Sequence, residues 1–366
     1  IRDHCVTGVQ TCALPICQLQ LERRRRGHPG GLPPGRGADM SRLRAAVAVA
    51  IFVALPLSTS ALEISTALGL LLAGTTGRWR TFLAAPWALP AGVLAALWAV
   101  SVPSASHLRE GVGHAWPLAT LLVVPALVDD PRRLTHVGLA AASIAATWAG
   151  LQRFAGMPVV GGFSHHLSLA YALLPPLGYA LAVRHVLALP LVLGVIATGS
   201  EGAMVALAAT VLAALTRRPT WAALAGVVVT VLALPFADAD ELRQRAVLWT
   251  GGLGVASGPP VGPGGYAAAS APLYDQLSPG FWFPNHAHDS TIQLLAVLGP
   301  AGVVATAGLV MAVLRAELGA AAGLAGVVTG AVTQEVFGDL EVSRAVWAWT
   351  ALAWISGNRN AAADTM

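Results

Sequence analysis

The sequence predicts an all-α, polytopic transmembrane protein, and three observations carry that prediction. The 366 residues are 55% hydrophobic and only 11% charged, mean hydropathy is +0.66, and apolar runs recur from residue 43 to residue 356. A water-soluble domain does not have that balance. The net charge of +4 comes from arginine alone, since the chain has no lysine, and much of it lies in short loops. That pattern suits membrane orientation and gives no reason to expect nucleic-acid binding. Cys5, Cys12 and Cys17 all fall in the first seventeen residues, so neither a disulfide framework nor a cysteine metal site supports the remainder.

Residues 1–39 read as a non-native or disordered extension. Within it, 5–16 resembles translated sequencing-adapter read-through, and 18–39 combines the run Arg23 to Arg26 with a Pro/Gly-rich stretch that has no apolar period. Met40 is the expected start of a membrane domain over 40–366. At ~20 residues per crossing, with shorter broken helices tolerated, the apolar runs give about twelve spans. They lie near 43–59, 61–75, 83–102, 114–128, 135–151, 167–183, 186–199, 202–215, 220–236, 290–313, 318–334 and 341–356. Arg42, Arg44, Arg78, Arg80, Arg132, Arg133, Arg184, Arg217, Arg218, Arg315 and Arg359 then share one side, the cytoplasmic one, with both termini. Arg109, Arg153, Arg243, Arg245 and Arg344 lie opposite.

The long hydrophilic segment near 237–289 is therefore expected outside, as a loop carrying short helices. Asp238 and Asp240 offer N-caps for a helix over 241–249, on which Arg243 and Arg245 point in different directions. Gly258-Pro259-Pro260-Val261-Gly262-Pro263-Gly264-Gly265-Tyr266 follows, with glycines that expose backbone N–H groups, and reads either as a phosphate or sugar cradle or as a plain surface loop. Phe281-Trp282-Phe283 reads as an interfacial aromatic belt.

The chain's most informative stretch is Pro284-Asn285-His286-Ala287-His288-Asp289, running through 290–298 into Gly299-Pro300-Ala301-Gly302. If Ser290 onward is helical, the eleven residues from His288 to Gly299 make about three turns. Both then share a face with Ile292 and Leu295, and Gly299 admits a close neighbouring helix. Three further polar segments fall on the same side: 152–166 with Arg153, His165 and His166, the turn Thr198-Gly199-Ser200-Glu201-Gly202-Ala203, and 334–341 with Glu335, Asp339 and Glu341.

Taken together these residues resemble the O-antigen ligase superfamily of bacterial membrane glycosyltransferases, over most of 43–356. The most specific match is a histidine, then Asn, Ser or Gln, nine residues, and Gly-x-x-Gly, here His288, Asp289, 290–298 and Gly299 to Gly302. Arg245 four residues before Trp249, the Gly262-Pro263-Gly264 turn, the 152–163 loop and the acidic turn before Trp347 agree as well. Two positions depart: Asp289, and Glu201 where the family commonly has arginine in Ser-Arg-Gly-Ala. The resemblance implies an inverting, metal-independent transfer of a glycan from a polyprenyl-diphosphate carrier to an acceptor hydroxyl on a glycan, lipid A core or protein. It places that reaction at the external face of the cytoplasmic membrane and needs no cofactor.

The residues contain the parts for such chemistry. A sugar hydroxyl needs a base, and His288 is the candidate. The departing diphosphate needs cations, for which Arg245 is preferred with Arg243 and Arg153 in reserve. His286, Asp289, Gly262, Gly264 and Tyr266 complete the expected binding set. Three rivals stay open: a metal held by His286 and His288 with Asp289 or Asp275, a transporter or flippase, and a family member without catalytic activity.

Overall fold

The computed structural model describes residues 34–77, 79–101, 116–160, 163, 165–236, 238–279, 286–337 and 339–364. Residues 1–33 of the expected extension 1–39 and the aromatic triplet 281–283 lie outside them. Every regular element among the described residues is helical. In chain order these are α1 Pro34–Ala54, α2 Thr59–Thr76, α3 Trp79–Leu83, α4 Ala88–Ser101, α5 Ala119–Leu127, α6 Pro131–Phe154, α7 His166–Ala172, α8 Leu174–Ala182, α9 Ala188–Ala197, α10 Glu201–Thr216, α11 Pro219–Ala233, α12 Ala239–Ala256, α13 Gly265–Leu277, α14 Ser290–Leu314, α15 Leu318–Gly330 and α16 Leu340–Asp364. Residues 44–366 make one compact unit.

Local chemistry accounts for the helix ends. Ser58, Asp130 and Ser200 cap α2, α6 and α10 by accepting N–H groups of the first turn, each satisfying a donor the helix leaves free. Pro131 and Pro219 sit where a missing N–H costs nothing. Residues 34–39, expected to belong to the extension, are helical, because α1 already begins at Pro34. The single span expected over 167–183 is two helices, α7 and α8, divided at Leu173 before Pro175 and Pro176. A proline removes a ladder donor and disfavours the preceding residue's helical geometry, so the run of apolar residues hid a boundary.

α15 lies at the centre. It packs against α8, α10 and α11 and is buried almost throughout, which its Gly/Ala-rich sequence permits. A Cβ on Gly323 would stand 2.5 Å from the Cα of Pro175, and one on Gly326 would stand 2.5 Å from the Ala206 carbonyl oxygen. The close helix approach expected at Gly299 is found here instead. Gly299 has φ 72° and ψ −172° and breaks α14. Pro300 beside it has no N–H for the Ala296 carbonyl.

Three of the described helices, Pro131–Phe154, Pro219–Phe236 and Ser290–Leu314, are long and apolar enough to cross a membrane. Shorter apolar helices cover Ser60–Thr75, Ala88–Ser101, Trp116–Leu127, Ala188–Ala197, Glu201–Thr216 and Leu318–Gly330. Large apolar side chains line the outside: Ile64, Leu68 and Leu71 on α2, and Trp221, Leu224, Val228, Val231 and Leu232 on α11. Apolar patches of that extent are costly in water and ordinary in lipid. The described residues are all helical, and their apolar helices and apolar outer faces are of the kind that suits a membrane.

Candidate functional site

The polar end of the bundle is built on the first turn of α14. Asp289 is its N-cap, with extended backbone (φ −153°), and its Oδ1 accepts the Ile292 N–H at 2.8 Å. The Gln293 side chain accepts the Ala287 N–H at 2.9 Å, folding the loop onto the helix that follows it. His288 lies between these two attachments with φ 51°, a left-handed conformation in which histidine is more common than most residues but still strained. His288 therefore precedes the helix rather than starting it. With α14 broken at Gly299, the eleven-residue spacing does not put the two on one face. The Asp289 departure has a physical meaning here, since aspartate caps a helix as asparagine and serine do.

Ser290 fastens this loop to the segment between α15 and α16. Its N–H donates to the Ala331 carbonyl at 3.0 Å, its Oγ donates to the Gln334 carbonyl at 3.0 Å, and the same oxygen accepts from Val336 N at 2.9 Å. Asp339 extends the fastening to α7: Oδ2 accepts from Ser168 Oγ at 2.6 Å, while Oδ1 accepts the Glu341 and Val342 N–H groups at the start of α16.

Arg245 reaches the same place from α12. Its Nη1 donates to the Thr333 carbonyl at 2.8 Å, and its Nε donates to Glu241 Oε1 at 3.1 Å. The Glu241 carboxylate thus already neutralises part of the guanidinium. Arg153, at the end of α6, places Nη2 3.9 Å from where a Cβ on Gly199 would lie, beside the turn into α10. Arg243 is exposed and makes none of these contacts among the described residues. Glu201 is exposed in the first turn of α10, where a carboxylate suits the helix dipole.

The Gly/Pro turn does something other than cradle an anion. The N–H groups of Val261 and Gly262 donate to the Ala296 and Val297 carbonyls at 3.0 and 3.1 Å, the acceptors that the break in α14 exposes. Gly262 and Gly264 have φ 73° and 74°, and Gly264 opens α13. Tyr266 is buried, with its hydroxyl 2.8 Å from that of Tyr274, whose own hydroxyl donates to the Leu248 carbonyl. It locks α13 to α12. The helix expected over 241–249 runs over 239–256 and has Asp238 alone as its cap.

His286 and His288 have ring centroids 4.3 Å apart. Burial, then His288, then His165 push the His286 pKa down to about 4. Burial, then the Arg245 guanidinium, lower that of His288, with the adjacent Gln334 side chain opposing them. Both imidazoles are neutral at pH 7. Burial raises Asp289, against the Ile292 and Thr291 N–H groups. Among the described residues no three His, Cys, Asp or Glu side chains are grouped to hold a metal, and Asp289 turns Oδ1 to the first turn of α14.

The structure gathers Arg245, His286, His288 and Asp289 at one end, with Arg153 near the α10 turn. It puts the Tyr266 hydroxyl behind the histidine loop, since a Cβ on Gly252 would stand 3.0 Å from that hydroxyl and 3.1 Å from the Ala287 Cβ; Arg243 and the glycines contribute no side chain to it. Sequence reasoning missed Ser290, Gln293, Thr333 and Gln334, of which the first two lay inside the informative stretch. It noticed His165 but gave it no role. His165 caps α7 through Nδ1, which accepts the Leu167 N–H at 3.2 Å, so the other ring nitrogen, Nε2, carries the proton in the neutral ring. Among the described residues, fold and site together give a helical bundle with three helices apolar and long enough to cross a membrane and a histidine-centred polar end. No family model matches the chain, and no curated protein matches it.

His286 gives a direct pH prediction. Its folded pKa lies below the unfolded 6.5, so the unfolded state takes up a proton first. The stabilisation is complete above about pH 6.5 and is lost progressively from there toward about pH 4. Thermal melts of the purified protein between pH 7 and 4.5 are expected to fall more steeply for the parent than for His286→Asn. Parallel curves would contradict a buried neutral imidazole.

Proposed function

We propose that this protein is a glycosyltransferase that moves a glycan from a polyprenyl-diphosphate carrier to an acceptor hydroxyl at the outer face of the cytoplasmic membrane. The observation that carries this reading is His288, in a left-handed conformation just before α14, on a loop that Ser290 ties to the 331–337 turn whose Thr333 carbonyl holds Arg245 Nη1. In the reaction the acceptor oxygen attacks the anomeric carbon as its proton passes to the His288 imidazole. The bond from that carbon to phosphate oxygen breaks, and the polyprenyl diphosphate leaves with the electron pair. Attack opposite the leaving group inverts the anomeric centre. A base in this position contributes about 10²–10⁴-fold, and arginine holds the phosphate oxygens.

The orientation is part of the proposal: about twelve crossings, both termini inside, and α12 and α13 outside. Two ion pairs support it, since Arg44 meets Asp129 at 2.9 Å and Arg344 meets Glu63 at 3.0 Å. Each joins residues that the arginine alternation puts on one side. A binding protein without catalysis is the second reading, favoured by Glu241 on Arg245 and by Glu201 at the α10 turn.

Two measurements decide between them. Purified His288→Ala is expected to keep donor binding and lose about 10²–10⁴-fold in glycan transfer, and His286→Ala should lose far less. The parent's acid limb lies below pH 6.5, because the base titrates below its ordinary value. Transfer at the parent rate by His288→Ala removes its role as base, and a parent that binds donor without transfer supports the second reading. For orientation, Gln276→Cys at an exposed position, with Cys5, Cys12 and Cys17 replaced by serine, is expected to react with an impermeant maleimide in intact or outer-membrane-permeabilised cells. Protection until lysis would reverse the topology.

A further inference from the structure

The Tyr171 side chain of α7 is 1% exposed, and among the described residues its hydroxyl has no hydrogen-bond partner. Two glycines make room for it. A Cβ on Gly330 of α15 would stand 2.8 Å from the hydroxyl oxygen, and one on Gly202 of α10 would stand 3.2 Å from it. An unpaired buried hydroxyl is a standing cost that phenylalanine in the same space would not carry. A buried hydroxyl with no partner among the described residues is a place where a ligand oxygen can be received.

The surroundings say what kind of partner. The hydroxyl lies at the first turn of α10, where Ser200 Oγ takes the Ala203 N–H and the Glu201 and Gly202 N–H groups have no acceptor within the helix. Thr333 Oγ1 lies 3.7 Å from the same Gly202 position, and the Thr333 carbonyl holds Arg245 Nη1. Arg245 is close enough for its charge to act on the phenol. Arg153 stands at the neighbouring Gly199 turn. Donors converge from a hydroxyl, a helix N-terminus and a guanidinium, which is the arrangement that receives phosphate oxygen. Two carboxylates oppose it: Glu241 on Arg245, and Glu201, exposed at the start of α10.

We propose that Tyr171 is a phosphate-binding residue, donating its hydroxyl hydrogen to a phosphoryl oxygen of a prenyl diphosphate seated at the first turn of α10 beside Arg245. This rests on the donor assigned under the proposed function. It adds the atoms that take the phosphate and gives a binding role to a residue buried in the helical bundle.

The test uses the purified full chain in lipid nanodiscs, with farnesyl diphosphate as the probe and farnesol and inorganic pyrophosphate as comparison arms. The parent is expected to be stabilised by farnesyl diphosphate and not by farnesol. A response to pyrophosphate equal to that to farnesyl diphosphate would show that the prenyl chain contributes nothing and overturn a prenyl diphosphate as the ligand. Tyr171→Phe should bind farnesyl diphosphate about tenfold or more weakly, the loss of one hydrogen bond to a charged group. Its unliganded melting temperature should equal or exceed the parent's, a combination that a purely structural tyrosine would not give. Glu201→Gln, at an exposed position, should bind several-fold more tightly than the parent. Parent-like affinity in Tyr171→Phe, or unchanged affinity in Glu201→Gln, overturns the assignment and leaves the donor reading standing. A parent that binds no prenyl diphosphate overturns both.

Discussion

One hydroxyl joins the two halves of the polar end. Ser290 is buried at the start of α14, and its oxygen lies between the Gln334 carbonyl and the Val336 N–H. Backbone groups in the turn after α15 have no helix to pair with, so a buried side chain that both donates and accepts fixes the whole segment. Thr333 then faces Arg245, Gln334 faces His288, and Asp339 holds Ser168 and the first turn of α16. Without that hydroxyl, the Ser290 N–H on the Ala331 carbonyl is the backbone bond left between the histidine loop and the 331–337 turn among the described residues.

The break in α14 is the second constraint. Gly299 and Pro300 free the Ala296 and Val297 carbonyls, and an unpaired carbonyl inside a bundle is costly. The Val261 and Gly262 N–H groups meet them, which fixes where the chain enters α13. Tyr266 and Tyr274 then hold α13 against α12, and α12 carries Arg245. The position of the guanidinium thus depends on a kink in another helix.

Much of the helical order was legible from apolar runs alone, because a lipid-facing helix needs little beyond length and apolarity. Legibility ended where a local signal competed with a distant partner. The 167–183 run looked continuous because Pro175 and Pro176 are themselves apolar. Gly251 and Gly252 looked like the end of a helix, yet α12 continues through them, since a Cβ at Gly251 would meet the Tyr274 ring and one at Gly252 would stand 2.7 Å from Ile292. The Gly262 turn resembled an anion cradle because the carbonyls that take its N–H groups lie thirty-five residues on in the sequence. Of the residues that the sequence nominated, His286, His288, Asp289 and Arg245 come together at the polar end. Tyr171 gave no signal, as a single tyrosine in an apolar run has the pattern of core.

Hydrogen exchange of Ser290→Ala against the parent, in lipid nanodiscs, tests the dependence of the site on that hydroxyl without assuming any reaction. The account predicts that 286–293 and 333–341 lose protection together, by about tenfold or more for the loss of buried hydrogen bonds. The centre of α15, over 319–327, should stay as protected as in the parent. Unchanged exchange in both segments, or loss in only one of them, would mean that the histidine loop and the polar turn are held independently.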